Sequence, residues 1–210
     1  MKIENNLIDH LRSLGFTVWN SACGGITIGA GYDCDNPIAP GVNQRLILGN
    51  LVDIESVSYT DTVITDITMK TTKQCFAFEG VRQSLKPQYE FVPSTMSVGY
   101  NHMLNFLVFE ISQAQKDNLE KMATSSLFGV VENKNAVGNG DSVFEVFGLN
   151  VGMEVNSMVR INADQETGGA FTIGLQTPEA EGKEPKMPQS WFVTDYPTTL
   201  ALVNALLIPA

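Results

Sequence analysis

Positive charge is scarce in this sequence. Its 210 residues include 13 lysines and arginines against 23 aspartates and glutamates, which gives a formal net charge of −10. Proteins that bind DNA or RNA tightly gain much of their affinity from basic side chains that neutralise phosphates. We therefore expect no tight nucleic-acid binding. An acidic surface repels nucleic acid, which would let DNA move past the protein without sticking.

Charge of either sign is also sparse. Only 17% of the residues are charged, whereas 43% are hydrophobic. Soluble domains usually carry about 25% charged residues. The composition predicts a sizeable core and favours a surface that is partly covered by other subunits. A monomer of low charge is the alternative interpretation.

Cysteine motifs and long apolar runs are missing. The three cysteines, Cys23, Cys34 and Cys75, contain no CxxC and cannot all pair. The longest apolar runs, 104–111 and 200–208, are too short to span a bilayer, and the first residues lack the apolar stretch of a signal peptide. We expect synthesis in a reducing compartment, cysteines that act as small core side chains, and no membrane partner.

Catalytic and cofactor-binding motifs are missing as well. The two histidines, His10 and His102, are far apart, and no Ser-His-Asp or Cys-His set can be assembled around them. Both are expected to be structural. The glycine-rich stretch 24–31 does not follow a strand and open a helix, as a phosphate-binding loop would. We expect no enzyme activity, no cofactor and no metal site.

Alternating apolar and polar residues predict a mainly β fold. The alternation is clearest over 57–71, 151–161 and 171–175, and Gly168-Gly169 predicts a hairpin turn between the last two. Residues 102–111 are apolar on both parities, which predicts a strand that is buried on both faces or covered by a helix. Further strands are expected at 74–79, 127–131 and 143–148.

Three short helices are predicted beside the strands. Residues 4–15 carry an apolar stripe and end at a glycine. Ser112 and Gln115 have capping-box spacing, which predicts a helix over 113–124. Residues 198–207 can form a short apolar helix. The predicted fold is an antiparallel β-sandwich or barrel with one short helix packed on it and a small N-terminal helix.

Two domains of unequal size follow from these elements. Residues 1–22 form a helical appendage, and residues 23–210 form a single β-rich domain. This domain is expected to contain two long loops, 80–101 and 177–197, because proline and polar residues interrupt the strand pattern there.

The two long loops hold the candidate functional residues. Exposed aromatic side chains need a cover, either the body of the protein or a neighbouring subunit. We predict six subunit-interface residues: Tyr89, Phe91, Tyr100, Trp191, Phe192 and Tyr196. The second loop also holds Glu179, Glu181 and Glu184 beside two lysines, and we interpret this charged stretch as solvated.

Two stretches of sequence carry a family resemblance. The run GYDCDNPIAPGVNQRLILGNLVDI, residues 31–54, resembles a segment near the start of virion structural proteins of tailed phages and prophages of Bacteroidetes. The run PQSWFVTDY, residues 188–196, has the same character. The predicted order of elements is similar to that of phage tail tube proteins, which have a β-sandwich, a long loop between early strands and a helix before the last strands.

The resemblance implies a function in assembly. Tail tube subunits form hexameric rings that stack into a tube, and the long loop reaches a neighbouring ring. The chain would then be a virion component whose partners are copies of itself and other virion proteins, with no catalytic residues. In such a tube we expect acidic and polar side chains, such as Asp66, Glu154 and Asn156, to face the lumen through which DNA passes.

Three alternatives remain open. The chain could be another virion component, such as a head decoration or head–tail joining protein. It could also form the inner tube of a phage-like contractile injection system. The third alternative is a carbohydrate-binding β-sandwich that uses Trp191, Phe192 and Tyr196 as an aromatic platform.

Overall fold

A computed structural model describes residues 41–81, 83–93, 98–134, 143–164, 166–178 and 183–208. These residues all belong to one compact unit. The helix predicted at 4–15, the appendage 1–22 and the cysteines Cys23 and Cys34 lie outside the described residues.

The described part of the chain is mainly β, as predicted. It contains eleven strands and two α-helices. The strands are β1 (Val42–Asn50), β2 (Ile54–Thr60), β3 (Val63–Met69), β4 (Phe76–Glu79), β5 (Lys86–Pro93), β6 (Val98–Val108), β7 (Leu127–Asn133), β8 (Phe144–Phe147), β9 (Glu154–Arg160), β10 (Phe171–Gln176) and β11 (Gln189–Trp191). The helices are α1 (Gln113–Met122) and α2 (Tyr196–Ala205).

The strands form two sheets. The large sheet has the order β2-β3-β11-β8-β7-β1-β4, and the small sheet has the order β5-β6-β10-β9. Neighbouring strands pair antiparallel, except that β11 runs parallel to β3. The three-residue strand β11 therefore joins the β2–β3 hairpin to the other four strands of the large sheet.

Two hydrophobic cores lie on the two faces of the large sheet. The first core unites β1, β7 and β8 of the large sheet with β6 and β10 of the small sheet, and α1 adds Leu119 and Met122 to it. The second core combines the opposite face of the large sheet with α2, which contributes Val203. The large sheet is thus buried on both faces, whereas the small sheet contributes one face to a core.

The region 57–71, expected as one strand, is a hairpin. β2 and β3 pair antiparallel, and Asp61 between them has a φ of 56°, in the left-handed region that tight turns use. A shift of register within the pair restores burial to Ile64, which broke the alternation in the sequence and is fully buried. A two-residue turn leaves the alternation of apolar and polar residues unchanged on both sides. The sequence pattern therefore does not distinguish this hairpin from one long strand.

The region 80–101, expected as a long loop, is also mostly strand. β5 pairs with β6 over eight residue pairs, from Lys86 opposite Asn105 to Pro93 opposite Val98. Pro87 and Pro93 suggested a loop because proline cannot donate a ladder hydrogen bond, but an edge strand tolerates proline. β5 is such an edge strand.

The strands β6 and β9 also differ from expectation. Leu104, Phe106 and Val108 of β6 are buried while the residues between them are half-buried, so β6 is not buried equally on both faces. In β9 a register shift beside Gly174 exchanges the two faces. Val159, expected on the apolar face, is consequently exposed.

Both predicted helices of the β-rich domain are confirmed. The Ser112 hydroxyl accepts a hydrogen bond from the Gln115 amide at 3.2 Å, which caps α1 as the sequence predicts. At α2 the Asp195 carboxylate accepts from the Thr198 amide at 2.8 Å. The predicted loop 177–197 was wrong in its second half, because it contains β11 and the start of α2.

Candidate functional site

Three of the predicted interface residues lie together on the β5–β6 hairpin. Tyr89 is 47% and Phe91 is 55% exposed, and Tyr100 is half-buried. Phe91 is directly opposite Tyr100, with ring centroids 5.9 Å apart in an edge-to-face arrangement. Tyr89 is two residues from Phe91 and therefore shares its face. We call these three side chains the hairpin strip.

The prediction for Trp191 was wrong. Its side chain is fully buried in the centre of the large sheet, where it lies opposite Phe144 of β8 and Ile64 of β3. The indole Nε1 donates a hydrogen bond to the Thr65 carbonyl at 3.4 Å. Trp191 can therefore contact neither a neighbouring subunit nor a sugar in the folded chain.

Phe192 and Tyr196, the other two aromatic residues of the C-terminal segment, are partly buried by contacts within the chain. Phe192 is half-buried, and its amide donates to the Ile64 carbonyl at 3.0 Å. Tyr196 is 39% exposed, stacks on Phe144 at 5.7 Å and donates its hydroxyl hydrogen to Glu132 at 2.9 Å. Burial, with a smaller contribution from Glu132, raises the pKa of Tyr196. The three residues therefore do not form the aromatic platform of the carbohydrate-binding alternative.

Among the described strands, every edge strand of the two sheets carries an exposed, largely apolar side chain. The edges are β2 and β4 in the large sheet and β5 and β9 in the small sheet. The exposed side chains are Tyr59 on β2, Phe76 on β4, Tyr89 and Phe91 on β5, and Val159 on β9. Prolines in β5 and the register shift in β9 limit pairing with other chains, but they do not cover these side chains.

A cleft of about 860 Å³ adjoins the hairpin strip. It lies between β5 and residues of β1, β7 and β8, and Tyr89 lines it together with Phe147. The charged side chains in its wall belong to Lys86, Lys134 and Glu145. A cleft of this size is in the range of ligand and peptide pockets, and the shared Tyr89 makes it continuous with the hairpin strip.

A buried carboxylate contradicts the prediction that the charged stretch around Glu184 is solvated. Glu184 is fully buried. Its carboxylate accepts hydrogen bonds from the backbone amides of Asn150, Val151 and Gly152, at 2.9–3.2 Å, and from the Asn150 side-chain amide at 2.9 Å. Three successive amides that converge on one anion form a nest of backbone donors. Glu179 and Glu181 lie outside the described residues.

His102 belongs to the same buried cluster. Its Nδ1 accepts a hydrogen bond from the Gly148 amide at 3.0 Å, so its Nε2 carries the proton and donates to the Lys186 carbonyl at 3.0 Å. This arrangement needs a neutral ring. Burial lowers the pKa of His102, and the negative charge of Glu184 opposes that effect. The interpretation of His102 as a structural histidine agrees with these contacts.

The sequence contains only a faint signal for this cluster. Gly148 and Gly152 enclose the turn whose amides face Glu184, and both have φ in the left-handed region, at 67° and 89°. Such glycines mark a tight turn. Nothing local to Glu184 indicates that it meets a turn more than thirty residues earlier.

The acidic and polar residues expected to face a lumen are divided between the sheets. Glu154 and Asn156 are exposed on β9 of the small sheet, whereas Asp66 is half-buried on β3 of the large sheet. Asn156 donates its side-chain hydrogen to Gln176 at 2.8 Å. Two of the three residues predicted to face a lumen, Glu154 and Asn156, therefore lie on one edge strand of the small sheet.

Within the described residues, no group of three Asp, Glu, His or Cys side chains is placed to hold a metal ion. None of the helices in that part of the chain is long and apolar enough to cross a membrane. No family model, no curated protein and no solved structure matches the chain.

Proposed function

We propose that this protein is a structural subunit of a tailed-phage virion. In the simplest form of the proposal, it is a tail tube protein that assembles with copies of itself into stacked hexameric rings, and DNA passes through the lumen. The observation that supports the proposal is the set of exposed, largely apolar side chains on the four edge strands of the described part of the chain.

Exposed apolar side chains on edge strands favour a subunit of an assembly over a monomer. A monomeric β protein must prevent its edges from pairing with other chains, whereas a subunit of a ring uses them. When copies are related by a rotation that closes, the edge of one subunit meets a different edge of the next, and a ring forms. Among the described strands, each sheet ends in two unlike edge strands, and their exposed side chains supply the two unlike surfaces that such a ring needs.

The hairpin strip supports a second contact, between rings. Tyr89 and Phe91 project from an edge strand and are about half exposed. Aromatic side chains buried at the centre of an interface often contribute about 2 kcal/mol each or more. We assign the hairpin strip to the contact with a neighbouring subunit, and the net charge of −10 to a surface that DNA passes without binding.

Electron microscopy of the purified full-length protein tests the proposal, with mass photometry on the same sample. Rings or tubes with six subunits per ring are the expected result. Particles of another symmetry would favour a different virion component, such as a head decoration protein. A 22.9 kDa monomer at all concentrations would contradict self-assembly.

The presence of DNA separates the tail tube from the inner tube of an injection system. If antibodies against the protein label particles that contain nuclease-protected DNA, the conduit function is supported. Labelling of DNA-free contractile particles alone would contradict it.

A further inference from the structure

A short segment before β11 ties the two sheets together. Residues 183–188 are here called the clasp. The backbone of Glu184 pairs with that of Tyr100 on β6, at 2.8 and 3.0 Å, and the Lys186 carbonyl accepts from His102 on the same strand. β6 belongs to the small sheet, and the clasp leads directly into β11 of the large sheet.

The clasp also holds the crossover between the sheets. Residues 148–152 connect β8 of the large sheet to β9 of the small sheet. Four amide donors of this turn point at the Glu184 carboxylate or the His102 ring: the backbone amides of Gly148, Asn150, Val151 and Gly152. Backbone amides that are buried cannot bond to water, and an unpaired buried amide is costly. The clasp supplies the acceptors for these four amides and so allows the crossover turn to be buried.

The protonation state of His102 decides whether its hydrogen bonds with Gly148 and Lys186 can form together. Its Nδ1 must be unprotonated to accept from the Gly148 amide. When the ring takes up a second proton, Nδ1–H faces Gly148 N–H, and two donors then oppose each other. The clasp therefore needs the neutral imidazole for geometric reasons.

Two neighbouring groups favour the charged form of His102: the Glu184 carboxylate and the Lys186 carbonyl, which accepts the Nε2 hydrogen bond. The ammonium group of Lys186 lies over the Tyr59 ring of β2 at 5.8 Å. The crossover turn 148–152 carries no ionisable side chain, and β6 adds only Tyr100 and His102 between residues 98 and 108. Burial of the ring is the largest effect, and it lowers the pKa.

We propose that the clasp is an acid-sensitive switch: protonation of His102 releases the Gly148 amide and frees the clasp, which loosens β11 between β3 and β8 while the sandwich of the remaining strands stays folded. The direction of the pH effect follows from the difference in His102 pKa between the released and the clasped state. A released His102 has the ordinary histidine pKa of about 6.5 and binds the proton more tightly than the clasped one. The clasp is therefore fully stable above that pH and loses stability as the pH falls below it.

The consequence is control over one sheet edge. β3 pairs with β11 through Trp191 opposite Ile64, and the Phe192 amide donates to the Ile64 carbonyl. The β2–β3 hairpin reaches the other strands of the large sheet through β11. When β11 loosens, the position of β2 changes, and β2 is one of the four edge strands.

Trp191 reports the state of β11. The chain has two tryptophans, so Trp19→Phe leaves Trp191 as the only indole. In that full-length background, fluorescence and far-ultraviolet circular dichroism are followed from about pH 8 to about pH 4. The expected result is a red shift of the Trp191 emission, with a midpoint below the ordinary histidine pKa, before the β signal is lost.

A matched pair of variants assigns the transition. His102→Gln removes the titration and is expected to shift or abolish the fluorescence midpoint by about one pH unit or more. His10→Gln removes the other histidine and is expected to leave the midpoint unchanged. Fluorescence and circular dichroism that change together, or a midpoint that is the same in His102→Gln, would overturn the proposal.

A measurement on the unaltered protein covers the case in which His102→Gln does not fold. Nuclear magnetic resonance follows the His102 ring and the Gly148 amide through the same titration. The ring is expected to titrate below the ordinary histidine value while the Gly148 amide loses its protection from exchange at the same pH. A ring that titrates with no change at Gly148 would contradict the switch.

Discussion

The aromatic side chains of the β5–β6 hairpin and those of the C-terminal segment lie in opposite environments. Tyr89 and Phe91 are about half exposed at the edge of the small sheet, whereas Trp191 is fully buried in the middle of the large sheet. In the sequence both sets lie in stretches rich in proline and polar residues. The environment of an aromatic residue is set by the place of its strand in the sheet order, and that order depends on residues far away in the chain.

Because Trp191 is the fully buried member of the two sets, the largest loss of stability is expected there. Trp191→Ala should lower the free energy of unfolding by about 3–5 kcal/mol, because it leaves a cavity between β3, β8 and α2. Urea denaturation followed by circular dichroism measures the loss. Phe192→Ala, at a half-buried neighbour, is the matched control and should cost clearly less. Equal losses at the two positions would contradict the central placement of β11.

Glu184 should follow in size. Glu184→Gln keeps the shape of the side chain but turns part of the acceptor group into a donor that faces backbone amides, so we expect a loss of about 1–3 kcal/mol. Glu55→Gln, on an exposed position of β2, serves as control and should change stability by less than about 0.5 kcal/mol. The same urea experiment reads both variants. If Glu184→Gln is neutral, the carboxylate is not the group that holds the crossover.

The cap of α1 should have a smaller effect. Ser112→Ala removes the side-chain acceptor for the Gln115 amide, and we expect a loss of about 1 kcal/mol. Ser58→Ala, at an exposed position of β2, is the control. Thermal unfolding separates the two, and an unchanged midpoint for Ser112→Ala would show that α1 is held by Leu119 and Met122 alone.

Local patterns predicted the parts of the fold that local contacts determine. The β9–β10 hairpin at Gly168-Gly169, the Ser112 cap and the helix near residue 198 each depend on residues close in sequence, and all three are present. The β2–β3 turn at Asp61 was missed, because a two-residue turn preserves the alternation on both sides. β5 was missed because its prolines are compatible with an edge strand, and edge position is a property of the whole sheet.

The candidate site was predictable only in part. Tyr89, Phe91 and Tyr100 could be found as aromatic residues without an obvious apolar partner nearby. The Glu184–His102 cluster could not, because its hydrogen bonds join residues that are 32 to 84 positions apart in the sequence. A buried carboxylate and a solvated one look the same in a sequence when their partners are backbone amides.

The hairpin strip has the smallest expected effect on stability and the largest expected effect on assembly. Tyr89→Ser with Phe91→Ser exchanges two exposed side chains for polar ones, so the free energy of unfolding should change by no more than about 0.5 kcal/mol per site. Val159→Ser changes an exposed residue on the opposite edge of the small sheet and serves as the control. It separates the effect of the hairpin strip on assembly from the effect of altering any sheet edge.

Self-assembly through the hairpin strip is tested most directly by mass photometry and electron microscopy of the purified protein beside its Tyr89→Ser, Phe91→Ser variant. Rings or stacked rings are expected for the unaltered chain, and the variant is expected to fold but no longer to stack. A variant that stacks like the unaltered chain would contradict the role of the hairpin strip. An unaltered chain that remains a 22.9 kDa monomer would contradict self-assembly itself.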